Sequence, residues 1–62
     1  MHTFGITVAR RVESGWECVD DAGRRLVVPA HAIDPALREL RVGQRLVAEP
    51  DATGSVALVR LP

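Results

Sequence analysis

The sequence predicts an all-β fold, a small five-stranded antiparallel barrel with a short helical turn between strands 3 and 4. Three observations carry this expectation. Val, Ile and Leu occur in short runs, each ended by a Gly, Pro or Asp turn signal. The intervals between the early runs are too short for parallel crossovers, so neighbouring strands should pair antiparallel as a meander. Once only, in Asp34–Leu40, the apolar residues stand three apart, which is a helical spacing.

The first strand is expected over Phe4 to Glu13 and ends at Ser14-Gly15. Trp16 to Asp20 forms the second, closed by Asp21-Ala22-Gly23, a good tight-turn sequence. Arg24 to Val28 forms the third, stopped by Pro29, which cannot donate to a ladder. Asp34 is then an N-cap candidate and Pro35 suits the first helical position, so one or two helical turns run to Leu40. Gly43 closes that segment. Gln44 to Glu49 and Ser55 to Leu61 make the last two strands, on either side of Pro50-Asp51-Ala52-Thr53-Gly54. Three strands, a helical connection and two strands is the layout of the oligonucleotide-binding fold, a small barrel that removes sheet edges by closure.

With 62 residues the chain makes one domain, residues 1–62, with a thin core. A single cysteine, Cys18, excludes an internal disulfide framework and fits a reducing compartment. Two histidines and that cysteine, scattered over three segments, do not make a metal site, and no cofactor is expected. No apolar run nears the roughly 20 residues needed to cross a bilayer, and the first residues do not read as a signal peptide. The expectation is a soluble cytoplasmic protein without a membrane partner.

Eight basic residues balance eight acidic ones, and all eight are arginine. The molecule as a whole therefore does not attract polyanions, and any nucleic-acid affinity has to come from a local patch. Ser14, Ser55, the threonines and Cys18 have no neighbouring sequence that signals a catalytic base, so an enzyme is not expected.

Four pieces of the chain, within about Thr7 to Pro62, resemble the bacterial cold-shock domain family. They are Ser14-Gly15-Trp16-Glu17-Cys18-Val19, then Leu26-Val27-Val28-Pro29-Ala30-His31-Ala32-Ile33, then Leu37-Arg38-Glu39-Leu40 with Gly43-Gln44-Arg45-Leu46, and Ala57-Leu58-Val59-Arg60. The first two resemble the family's two aromatic RNA-binding motifs. The resemblance implies binding of single-stranded RNA or DNA by stacking bases on surface aromatics. Only Trp16 is aromatic at such a position here. Cys18, Val27, Pro29 and Ala30 stand where further aromatics or a histidine are typical, and Arg10 and Arg11 replace an aromatic pair.

Strand alternation places Trp16 and Cys18 on one face, Val27 outward, and Arg11 opposite Ile6 and Val8. Arg10 counts inward unless a bulge or bend brings it out. The expected nucleic-acid face is Arg10, Arg11, Trp16, Cys18, Val27 and Pro29. With one stacking aromatic, binding to RNA or DNA should be weak, of low sequence specificity and sensitive to salt. The same face has the composition of a protein interface, for a partner or for self-association through Trp16 and Val27. A third reading takes Gly23–Ala30 and Gly43–Glu49 as the swapped-hairpin DNA-binding domain of antitoxins, which leaves Thr7 to Val19 unexplained.

Overall fold

Two aspartate-anchored turns fix the strand pairing of this chain. The computed structural model describes residues 2–37 and 39–62. Strand β1 (Phe4–Val12) turns at Glu13-Ser14 into β2 (Gly15–Asp20), which returns as β3 (Arg25–Pro29). A 3-10 turn (Ala30–Ala32) opens the long connection to β4 (Arg45–Pro50), and β5 (Val56–Arg60) follows. At the β2–β3 turn the Asp20 carboxylate accepts from the N–H groups of Ala22 and Arg24, at 2.9 and 2.8 Å. Gly23 supplies the left-handed backbone there, at φ 85°. At the β4–β5 turn Asp51 does the same work, accepting from the Thr53 and Ser55 N–H groups and from the Thr53 hydroxyl.

The strands form one antiparallel sheet in the order β3-β2-β1-β4-β5. Strand β1 is central, and its Ile6 and Thr7 pair with both β2 and β4. Ile6, Val8, Cys18, Val28, Leu46, Ala48 and Val59 bury one face of all five strands, joined by Ala32 and Leu40 from the connection. Val28 and Val59 lie on the two edge strands and share one core, so the sheet curls over its own inner face. The all-β class, the five strands and the helical turn between strands 3 and 4 are as the sequence predicts.

Two features differ. The ladder is not closed, because β3 and β5 do not pair. The connection bridges part of the gap instead: Ile33 forms an isolated parallel bridge to Val59, and the Asp34 N–H donates to the Val59 carbonyl at 2.9 Å. The helical turn also sits earlier than expected, at Ala30–Ala32 and not in Asp34–Leu40. Asp34 there closes a local turn, its carboxylate accepting from the Ala36 N–H and its carbonyl from the Leu37 N–H. An aspartate that satisfies its own following backbone competes with helix formation, and so short a segment has little helix to gain. Arg38, in the middle of the expected helix, lies outside the described residues. Among the described residues no helix is long and apolar enough to cross a membrane.

Gly15 is buried where β2 meets the end of β3, and a Cβ there would collide with the Val28 carbonyl oxygen. Gly15→Ala is therefore expected to cost at least about 2 kcal/mol in urea unfolding, because backbone must move. Hydrogen bonds lower both turn carboxyls below their ordinary value, led by the Arg24 N–H for Asp20 and by the Thr53 hydroxyl for Asp51. A lowered folded-state pKa stabilises the fold above the unfolded value of about 3.9 and is lost as pH falls through the folded value. The urea midpoint should stay level in this respect above about pH 5 and fall in acid. An Asp20→Asn, Asp51→Asn double variant should show a shallower acid limb.

Candidate nucleic-acid interface

Cross-strand partners in a sheet share a face, so the β1–β2–β3 register decides where each expected site residue points. Val8 lies opposite Cys18, and Cys18 opposite Leu26. A register shift between Val8 and Arg10 leaves Ala9 as the extra residue of a bulge. Beyond it Arg10 faces Glu17, which faces Val27, while Arg11 faces Trp16, which faces Val28. The bulge brings Arg10 to the outer side. It also turns Arg11 to the inner side, the reverse of the sequence expectation.

The six expected residues thus separate into three groups. Arg10 and Val27 are exposed on the outer face, beside the half-buried Pro29 at the end of β3. Arg11 and Trp16 lie on the inner side at one mouth of the curled sheet. Cys18 is in the core, 1% exposed, and cannot touch a ligand. Alternation correctly put Trp16 and Cys18 on one face, but that face is the inner one. The paired length between Asp20 and Arg24 sets the parity, and a one-residue difference in register exchanges the faces.

On the outer face the arginines are already engaged. Glu17 accepts from Arg10 Nε at 3.3 Å, and Arg25 approaches the same carboxylate at 3.8 Å. The Arg10, Glu17 and Arg25 trio carries a net charge of +1 and stands beside Val27, 50% exposed. Nothing aromatic stands on this surface. A base-stacking platform there is absent among the described residues.

The mouth is different. The Arg11 guanidinium carbon lies 5.8 Å from the centroid of the Trp16 ring, a cation–π distance. Half-buried Trp16 packs against the core together with Ile33 and Leu37. Those three side chains line a groove of about 480 Å3 with Arg11, Asp34 and Glu39. Trp16 is therefore at once a packing residue and the only described tryptophan surface open to a ligand. Leu37 was not legible as a site residue, because its spacing from Leu40 reads as the apolar side of a helix, and Ile33 was legible only as the end of the second piece that resembles an RNA-binding motif. Among the described residues of the groove, Asp34 and Glu39 are two carboxylates against one arginine, Arg11, which limits how much phosphate they can attract.

Burial first, and then the neighbouring Glu17 carboxylate, push the Cys18 thiol above its ordinary pKa. The thiol donates to the Trp16 carbonyl at 4.0 Å. Held protonated inside the core, it is not a nucleophile. Among the described residues no group of three or more His, Cys, Asp or Glu could hold a metal ion. A maleimide reagent at neutral pH is expected to leave Cys18 unlabelled in the native protein and to label it as urea unfolds the chain. Labelling of the native protein at the rate of a free thiol would contradict the burial. Comparison with protein-family models, curated proteins and solved structures finds no match to this chain.

Proposed function

We propose that the chain is a non-catalytic binding module that takes a single-stranded nucleic acid weakly at the Arg11–Trp16 mouth. The observation that carries this reading is the guanidinium of Arg11 placed over the Trp16 ring at the lip of a groove that Ile33 and Leu37 line together with Asp34 and Glu39. One base stacks against Trp16, which is worth about 1–3 kcal/mol, and Arg11 meets the adjoining phosphate. Carboxylates on the same rim accept from exocyclic base amines while repelling the backbone, so binding is weak and salt-sensitive. The resemblance of Ser14–Val19 and Leu26–Ile33 to cold-shock RNA-binding motifs supports the same class of ligand. A barrel-like module of this kind works in the cytoplasm, where a lone thiol such as Cys18 stays reduced.

A second reading, a protein-docking domain, is favoured by one specific observation. The outer-face arginines spend their charge on Glu17, and the chain has no net charge to offer a polyanion.

Trp16 is the only tryptophan and there is no tyrosine, so intrinsic fluorescence reports on the mouth alone. Titration with a short pyrimidine-rich RNA should quench it saturably and less strongly as salt is raised. Arg11→Ala should weaken binding and reduce the slope of log K against log salt by about 0.7, one phosphate's share on a single strand. Absence of quenching at high micromolar RNA, with the protein shown to be folded, would leave the docking reading in its place.

A further inference from the structure

Opposite charges pair over most of this surface, but not in the Trp16 groove. Among the described residues Arg10 and Arg25 meet Glu17, Arg24 meets Asp20, Arg45 meets Asp21 and Arg60 meets Glu49, none farther apart than 3.8 Å. Arg11, Asp34 and Glu39 line one groove, and none of the three takes part in those pairs. Arg11 comes from β1 and lies over the Trp16 ring, while both carboxylates come from the connection. The groove thus keeps a cation on one element and carboxylates on another, with an aromatic ring between apolar side chains.

The two carboxylates are not equivalent. Asp34 Oδ1 accepts from the Ala36 N–H at 2.9 Å, so one of its oxygens is committed to the local turn. Glu39 is exposed and accepts no hydrogen bond among the described residues, so both of its oxygens face outward contacts.

Nucleobases differ in what they offer an ionised carboxylate, which can only accept. Guanine carries N1–H and the N2 amine side by side on one edge, two parallel donors at the spacing of two carboxylate oxygens. Adenine and cytosine have one amine beside a ring nitrogen that is itself an acceptor. Uracil has one N–H between two carbonyls. In those three bases a second carboxylate oxygen would meet a lone pair. Guanine alone accommodates a carboxylate through both oxygens, the stronger arrangement.

We propose that the Arg11–Trp16 groove selects guanine, stacked on Trp16, with N1–H and the N2 amine donating to Glu39 and the adjoining phosphate at Arg11. This rests on the reading of the groove as a nucleic-acid site and gives that site a base preference. Glu39 repels the backbone of every strand and offsets that repulsion only for the base with two donors.

The test titrates the full chain at low salt with uridine heptamers that carry one central guanosine, inosine, adenosine, cytidine or uridine. Trp16 fluorescence is followed, and the midpoint is compared because bases differ in how strongly they quench indole. The guanosine strand should bind about tenfold more tightly than the adenosine, cytidine and uridine strands. Inosine, which lacks the N2 amine, should lose most of that preference, and 7-deazaguanosine, changed only at N7, should keep it. Glu39→Ala should bring all the strands to nearly one midpoint. Its side chain is exposed, so an unchanged urea midpoint is expected with it. Saturable quenching with equal midpoints in the native chain would overturn the guanine assignment and leave the nucleic-acid reading in place. A guanosine preference that survives Glu39→Ala would overturn it as well. No saturable quenching by any strand, with the protein folded, would remove the preference and the reading together.

Discussion

A single sheet with one apolar face has no second layer to bury it, so this chain has to pack the sheet against itself. Bringing Val28 of β3 and Val59 of β5 into one core requires the sheet to bend, although three strands separate them in the ladder. The bulge at Ala9 lies in the central strand, where added twist changes the direction of β1 relative to both neighbours. A second register irregularity, between Glu49 and Pro50, lies at the β4–β5 end. The core that results is small side chains for the most part, Ile6 and Leu46 being the largest fully buried ones. Little slack remains in such a core, which is why a glycine is needed where Gly15 lies against the Val28 carbonyl.

The curl also decides where function can reside. It divides the β1–β3 surface into an outer side, where Arg10, Glu17 and Arg25 satisfy one another, and an inner mouth, where Trp16 carries Arg11. It leaves a gap between the edge strands that the connection spans at Val59 and nowhere else among the described residues. Two openings of different chemistry follow from one geometric problem. One holds an aromatic ring under a cation, the other the edge of β3 beside Arg24 and Arg25 in their ion pairs with Asp20 and Glu17.

Strand positions were legible in the sequence because turn residues punctuate it so clearly. Asp20 to Gly23 and Asp51 to Gly54 carry both the carboxylate and the glycine that their turns use. Facing was less legible. Alternation relates Trp16 to Cys18, but only the pairing of Cys18 with Val8 and Leu26 shows that both look inward. The Ala9 bulge has no sequence mark, yet it reverses the side of Arg11. The expected helix over Asp34–Leu40 failed because periodicity cannot tell a helical face from a loop whose Leu37 and Leu40 pack down on a core. The gap between β3 and β5 was invisible for a deeper reason: it is defined by a pairing that does not form.

Central placement of β1 has a consequence for biosynthesis. Its Phe4–Thr7 segment has β4 for a partner, in the pairs Phe4–Ala48 to Thr7–Arg45, and β4 is translated long after it. At about 5–20 residues per second, the interval between residues 12 and 48 lasts roughly 2–7 s on the ribosome. Throughout it Ile6 and Val8 have no inner layer, and one side of β1 is an open ladder. The consecutive guanidinium groups of Arg10 and Arg11, at the far end of that same strand, give the nascent segment like-charge repulsion against other copies of itself. Two like charges near the end of a largely apolar strand act against pairing of that segment with copies of itself whenever the native sheet is open.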